Sequence, residues 1–135
     1  MTATTTRARA MVVAVGGAGL VCATVLAVGD PSRGGFPACP LHSLTGLNCP
    51  GCGTQRALHA LLHGHVGIAL HDNAFAILAL PVLLYAFVMW AGRAFAFAVP
   101  QLTVPSRWLR WLGPAVIAFT IVRNLPFGHA LAPLT

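Results

Sequence analysis

The sequence predicts an all-α membrane protein with about three transmembrane helices and a short amphipathic helix at the interface after a Cys-rich loop. Three observations carry this. Hydrophobic residues fill 57% of the 135 positions and charged residues only 7%, against roughly 25% charged in an ordinary soluble domain, too few to clothe a water-facing surface. The apolar residues fall in long runs separated by glycine- and proline-rich turns, the pattern of spans and connections. The net charge of +6 comes from eight arginines and no lysine, set singly beside those runs. Such charges mark topology; a nucleic-acid surface would cluster them on one face.

The first crossing is the uncharged run Met11 to Val28, just long enough to span the hydrocarbon as a helix and preceded by a polar start with Arg7 and Arg9. A cleaved signal peptide shares those features, but the run exceeds an h-region and Val28-Gly29-Asp30 is a poor cleavage site, so retention is expected. Small residues four apart, Ala14 with Ala18 and Gly19 with Ala23, suit close helix packing. Cys22, inside the run, reads as a small apolar residue in the bilayer.

Gly29 to Pro37 is dense in turn formers and takes the chain out of the membrane. The second crossing is Ala74 to Gly92, with Asp72 and Asn73 as N-cap residues, Arg93 closing it, Tyr85 and Trp90 near its far end, and a kink predicted at Pro81. Ala94 to Ser106, broken by Pro100 and Pro105, reads as interfacial. A third span runs from about Trp108 to Val122, with Arg110 and Arg123 snorkelling from a short uncharged core; a half-inserted helix is its alternative. Residues 1–28, 29–73 and 74–135 thus form three segments of one domain. With three crossings, Arg7, Arg9, Arg93, Arg107 and Arg110 share one side and Arg33, Arg56 and Arg123 the other. The richer side is expected to be cytoplasmic, which places the N-terminus inside and the cysteine segment outside. The arginine-only, alanine-rich composition fits a bacterial plasma-membrane protein.

The chemistry sits between Cys39 and Asn73, which hold Cys39, Cys49 and Cys52 and the histidines 42, 59, 63, 65 and 71. Cys49-Pro50-Gly51-Cys52 is a C-x-x-C pair followed by a run with helical spacing. A helix starting at about Cys49 would put Pro50 in its first turn and the thiols at the positive end of its dipole, lowering their pKa. At about 100° per residue, Cys52, Arg56, His59 and His63 then share one face and Leu58, Leu61 and Leu62 the other. Gly64 and Gly67 end that helix.

Three chemistries fit this set. One is a structural disulfide from Cys39 to Cys49 or Cys52, suited to an oxidising compartment. Another is a metal site, with zinc the suited ion, on Cys39, Cys49 and Cys52, taking His59 as fourth ligand ahead of His42 and His63. The third is thiol redox chemistry on the Cys-Pro-x-Cys pair, with none of the strand and helix pattern of a thioredoxin-like fold around it. The preferred reading is a non-enzymatic accessory or assembly protein with a structural cysteine motif. Its alternative is a membrane thiol-disulfide oxidoreductase with Cys49 attacking and Cys52 resolving. The expected partners are the lipid bilayer and another membrane protein, with no nucleic acid. A transporter is disfavoured, since Asp30 and Asp72 are the chain's only acids.

Cys39-Pro40, Thr45-Gly46-Leu47-x-Cys49-Pro50-x-Cys52-Gly53-x-x-Arg56-Ala57, Gly64, Ala69-Leu70, Asn73 and Arg123-Asn124-Leu125-Pro126 together resemble a bacterial family of small integral membrane proteins classed as a domain of unknown function. The resemblance spans Cys39 to Pro126. In that pattern threonine directly precedes the arginine and proline follows the asparagine; here Gln55 and Ala74 stand there. It implies a membrane location and no established activity. Because Arg123 and Asn124 would emerge on the cysteine side, the tail is expected to fold against the cysteine helix. The polar cluster would then comprise Arg56, His59, His63, Asn73, Arg123 and Asn124.

Overall fold

Two long helices set the frame. In the computed structural model, which describes residues 3–34, 36–37, 39–100 and 106–126, the chain forms helices α1 (Ala3–Val28), α2 (Pro40–Thr45), α3 (Thr54–Leu62), α4 (Val66–Ala94) and α5 (Ser106–Arg123), with a 3₁₀ turn at Pro31–Arg33. No strand occurs among the described residues. α1 and α4, of 26 and 29 residues, are both long and apolar enough to cross a membrane. Their aliphatic side chains stay largely uncovered by the protein, as Leu20 at 70% and Leu78 at 68% exposure show. A helix so apolar on every side needs lipid, or another protein, around it.

α5 falls short of the same standard. Its 18 residues carry Arg107 and Arg110 near the start and Arg123 at the end, which shortens the uncharged stretch, so a third full crossing is not established by length and apolarity. The interfacial stretch after α4 is described only as far as Pro100, with a turn at Phe95 and Ala96.

α1 and α4 run antiparallel. At one end Arg9 Nε donates to the Ala94 carbonyl at 3.0 Å, and its guanidinium lies 5.6 Å from the centre of the Phe95 ring. Midway, Gly16 admits the Phe87 ring, which a Cβ there would approach to 3.3 Å. The close point is therefore Gly16, and not the predicted Ala14/Ala18 or Gly19/Ala23 pairs: Ala14 and Ala18 are exposed, and a Cβ at Gly19 would meet nothing within 4 Å. Past α4 the chain folds back, the Phe97 N–H donating to the Gly92 carbonyl at 2.9 Å, with Val99 packed where a Gly92 side chain would be.

α3 ends in a reversal that only its glycine permits cheaply. Gly64 has φ +79°, the Gly64 N–H donates to Leu61 O at 3.0 Å and the His65 N–H to Ala60 O at 2.8 Å, which satisfies two carbonyls left open by the helix end. Leu58, Leu61 and Leu62 line an apolar groove with α1 and α4, as the helical spacing predicts. The break in α4 lies elsewhere than expected. Within α4 the non-helical backbone is at Asn73 (φ −159°, ψ 85°), while Pro81 is accommodated inside the helix. Asn73 Oδ1 accepts the Ala76 N–H at 3.0 Å, so it caps the long apolar part of α4 as a helix start of its own.

Replacing Gly92 by leucine should overpack the α4 end against Val99. An expected cost of about 1–3 kcal/mol would appear as a lower thermal midpoint in detergent, with Gly19→Leu, where space is open, as the silent control.

Candidate metal centre

The three cysteines of the central segment converge through two local structures. Cys39 is the N-cap of α2, with Pro40 in the first turn and Gly46 closing the helix in left-handed conformation at φ +70°. Cys49 to Cys52 is a separate turn: the Cys52 N–H donates to Cys49 O at 3.1 Å, and the Cys49 N–H points at Cys52 Sγ at 3.2 Å. The predicted helix start at Cys49 is thus corrected to Thr54. Gly53, in left-handed conformation at φ +81°, breaks the path, so the thiols lie ahead of the helix and not on its first turn. Cys49 Sγ is 3.2 Å from Cys39 Sγ and 3.0 Å from Cys52 Sγ, and the three sulfur atoms all lie within 4.8 Å of one another. All are free thiols, Cys52 buried and the other two half-buried.

This turn is held from behind by side chains remote in sequence. Asn73 Nδ2 donates to Pro50 O at 2.9 Å, Cys52 O at 3.2 Å and Thr54 Oγ1 at 2.9 Å. Arg123, only 2% exposed, donates through one terminal nitrogen to Cys52 O at 2.9 Å and Cys49 O at 3.4 Å, and through the other to Asp72 O at 2.9 Å. Its guanidinium also lies 5.2 Å from the centre of the Phe119 ring. Asn124 pairs with the backbone of Asn48 in both senses, Oδ1 accepting the N–H at 2.8 Å and Nδ2 donating to the carbonyl at 2.9 Å. A buried carbonyl left without a donor costs about 1–3 kcal/mol, so these donors fix the turn. The same groups tie together the ends of α3, α4 and α5.

Electrostatics separate the thiols. The backbone N–H of His42, followed by the Cys49 and Cys52 side chains, lowers the Cys39 pKa to about 7. Burial, followed by the Cys49 and Cys39 thiols, pushes Cys52 up to about 12. The expectation that a helix start would lower the C-x-x-C pair is corrected for Cys52, because the helix begins after it and its thiol is buried; the helix start in this cluster belongs to Cys39.

Of the other residues singled out in the sequence, Arg56 and His42 line a cleft of about 820 Å³ over the thiols, together with Phe36, Asn48 and Gln55. His42 Nδ1 is buried and has no hydrogen-bond partner among the described residues. His59 is not brought to the sulfurs: its Nδ1 lies 2.6 Å from Leu26 O at the end of α1, and its ring stacks on His63. The expected polar cluster therefore divides. Asn73, Arg123 and Asn124 grip the cysteine turn, Arg56 lines the cleft, and His59 with His63 forms a separate pair. Sequence reasoning passed over Asn48 and Thr54, which supply backbone and hydroxyl partners and carry no spacing signal. It also passed over the matched spacing of Cys39-Pro-Leu-His42 and Cys49-Pro-Gly-Cys52, two ligand types three apart with proline second.

Residues 39–87 match the model of a family described as "Protein of unknown function (DUF2752)". The match covers the cysteine turn, α3 and most of α4; the Arg123-Asn124-Leu125-Pro126 stretch lies outside it. No curated protein and no solved structure matches the chain.

Arg123→Ala should remove the guanidinium from the Cys49, Cys52 and Asp72 carbonyls, leaving the first held by the Cys52 N–H and the second by the Asn73 amide. Alkylation of Cys52 should then accelerate about tenfold or more, the factor given by roughly 1.4 kcal/mol of lost local protection, with Cys22 as the unchanged internal reference. An unchanged Cys52 rate would remove Arg123 from the support of the turn.

Proposed function

We propose that the chain is a small integral membrane protein, non-enzymatic, whose cysteine turn is a structural metal centre for a thiophilic ion, zinc being the best suited. Cys39, Cys49 and Cys52 are the ligands, and His42 completes the set by turning its ring. The observation that carries this is the convergence of three sulfur atoms within 4.8 Å. A disulfide would use two of the three and leave the last thiol beside it. A Cys₃His set is a common structural zinc arrangement, and zinc–sulfur distances of about 2.3 Å require only small movements from these positions. The Nδ1 of His42, without a partner among the described residues and in the wall of the same cleft, supports it as the fourth ligand in place of His59. Each ligated thiol loses its proton, including buried Cys52, and the Arg123 guanidinium behind the turn offsets the resulting negative charge.

In this reading the bilayer surrounds α1 and α4, with α5 crossing or half-inserted beside them. The start of α1 and the end of α4 share one end through Arg9 and Ala94, which groups Arg7, Arg9 and Arg93 away from the cysteine turn. That distribution supports a cytoplasmic N-terminus and an outward-facing metal centre in a bacterial plasma membrane. The role is accessory: the centre pins the loop that joins the spans and presents it to a membrane partner.

The test is metal analysis and thiol counting on the same detergent-purified sample. One equivalent of zinc per chain, with Cys49→Ser abolishing it and His42→Ala weakening it by about tenfold or more, is the expected result. Two thiols consumed in a bond with no metal bound would replace this reading by a cross-link.

A further inference from the structure

The histidine pair set apart from the thiols has the features of a binding site in its own right. His59 and His63 are one helical turn apart on α3, with ring centroids 4.3 Å apart and planes inclined at 38°. Each ring uses Nδ1 against a backbone carbonyl: His59 against Leu26 O at 2.6 Å, His63 against His59 O at 2.8 Å. A carbonyl only accepts, so in the neutral ring the proton is on Nδ1 and Nε2 carries a bare lone pair. Neither Nε2 has a hydrogen-bond partner among the described residues.

Such carbonyl bonds are the usual means of fixing tautomer and ring direction in metal-binding histidines, and two histidines at i and i+4 on a helix can reach one ion. The first ring is further anchored by its position, because Leu26 O is one of the carbonyls that the end of α1 leaves open. A carboxylate is near: Asp30 is lowered first by the Ser32 hydroxyl and N–H and also feels His59. His63 is exposed and His59 half-buried, so an ion can enter and leave.

We propose that Nε2 of His59 and Nε2 of His63 form a second, labile site for a divalent transition-metal ion, with water completing its coordination. Imidazole pairs favour zinc, copper and nickel over magnesium or calcium. Two protein ligands hold an ion weakly, which distinguishes this place from the thiol centre in both affinity and exchange rate. The site does not require the thiol centre to be metallated.

The experiment uses the full chain in detergent with histidine nitrogens isotopically labelled. Nuclear magnetic resonance should show His59 and His63 as the tautomers protonated on Nδ1. Added zinc, beyond any taken up by the thiols, should then shift the Nε2 resonances of these two rings. His63→Ala, at an exposed position, should lower the zinc uptake at saturation by one equivalent, while Cys49→Ser, which disables the thiol centre, should leave that equivalent in place. Nε2-protonated rings at both positions, or zinc uptake that His63→Ala does not change, would overturn the proposal. Uptake lost only in Cys49→Ser would also overturn it, while upholding the thiol centre.

Discussion

A single buried guanidinium holds the arrangement together. Arg123 is 2% exposed, and its guanidinium donates to the carbonyl oxygens of Cys49, Cys52 and Asp72. An arginine suits this task because its planar fork presents several donors in fixed directions, whereas an ammonium would act as a point charge. Burying a charge is costly unless donors and acceptors are matched. Here the matching acceptors belong to the turn that carries the thiols and to the junction that starts the long part of α4. The last residue of α5 thereby sets the geometry of a loop more than seventy positions earlier in sequence.

Asn73 is the second such junction, and it works in two directions. Its oxygen starts the apolar part of α4 through the Ala76 N–H, and its amide nitrogen reaches the Cys49–Cys52 turn and Thr54. An asparagine can do both because it carries a donor and an acceptor on one rigid amide; an aspartate would keep the cap and lose the reach. The entry of the chain into the apolar helix and the shape of the thiol turn are consequently one structural decision. This explains why the helix breaks at Asn73 and continues through Pro81. Proline removes one donor in a place where the surroundings are apolar, whereas Asn73 has partners that a helical backbone would deny it.

The helical frame was readable because its signals are additive and local. Long uncharged runs, Asp72-Asn73 before one of them, Arg93 after it and Gly64 at a turn each carry their meaning at their own position. The apolar side of α3 followed from spacing alone. The site was readable as a segment and not as a constellation. Nothing local told that Gly53 would adopt the left-handed conformation that delays α3 to Thr54, and the shared face assigned to Cys52 and His59 depended on that missed break. His59 then faces the end of α1, a partner set by tertiary packing and absent from any window of sequence. Conversely, Arg123-Asn124 at the end of an apolar run could be marked as polar residues on the cysteine side, although their targets, main-chain oxygens and one N–H, have no residue-type signature.

The pairing of Asn124 with position 48 illustrates what such targets mean for variation. At position 48 the amide of Asn124 meets only the N–H and C=O, atoms common to every amino acid but proline. Substitution at 48 thus leaves the seat for α5 in place, while substitution at 124 removes it. Across divergent homologues the gripping residue would be the one held invariant and the gripped one free to drift, so low variability would report which partner of a pair supplies the side chain and say little about which positions the assembly touches.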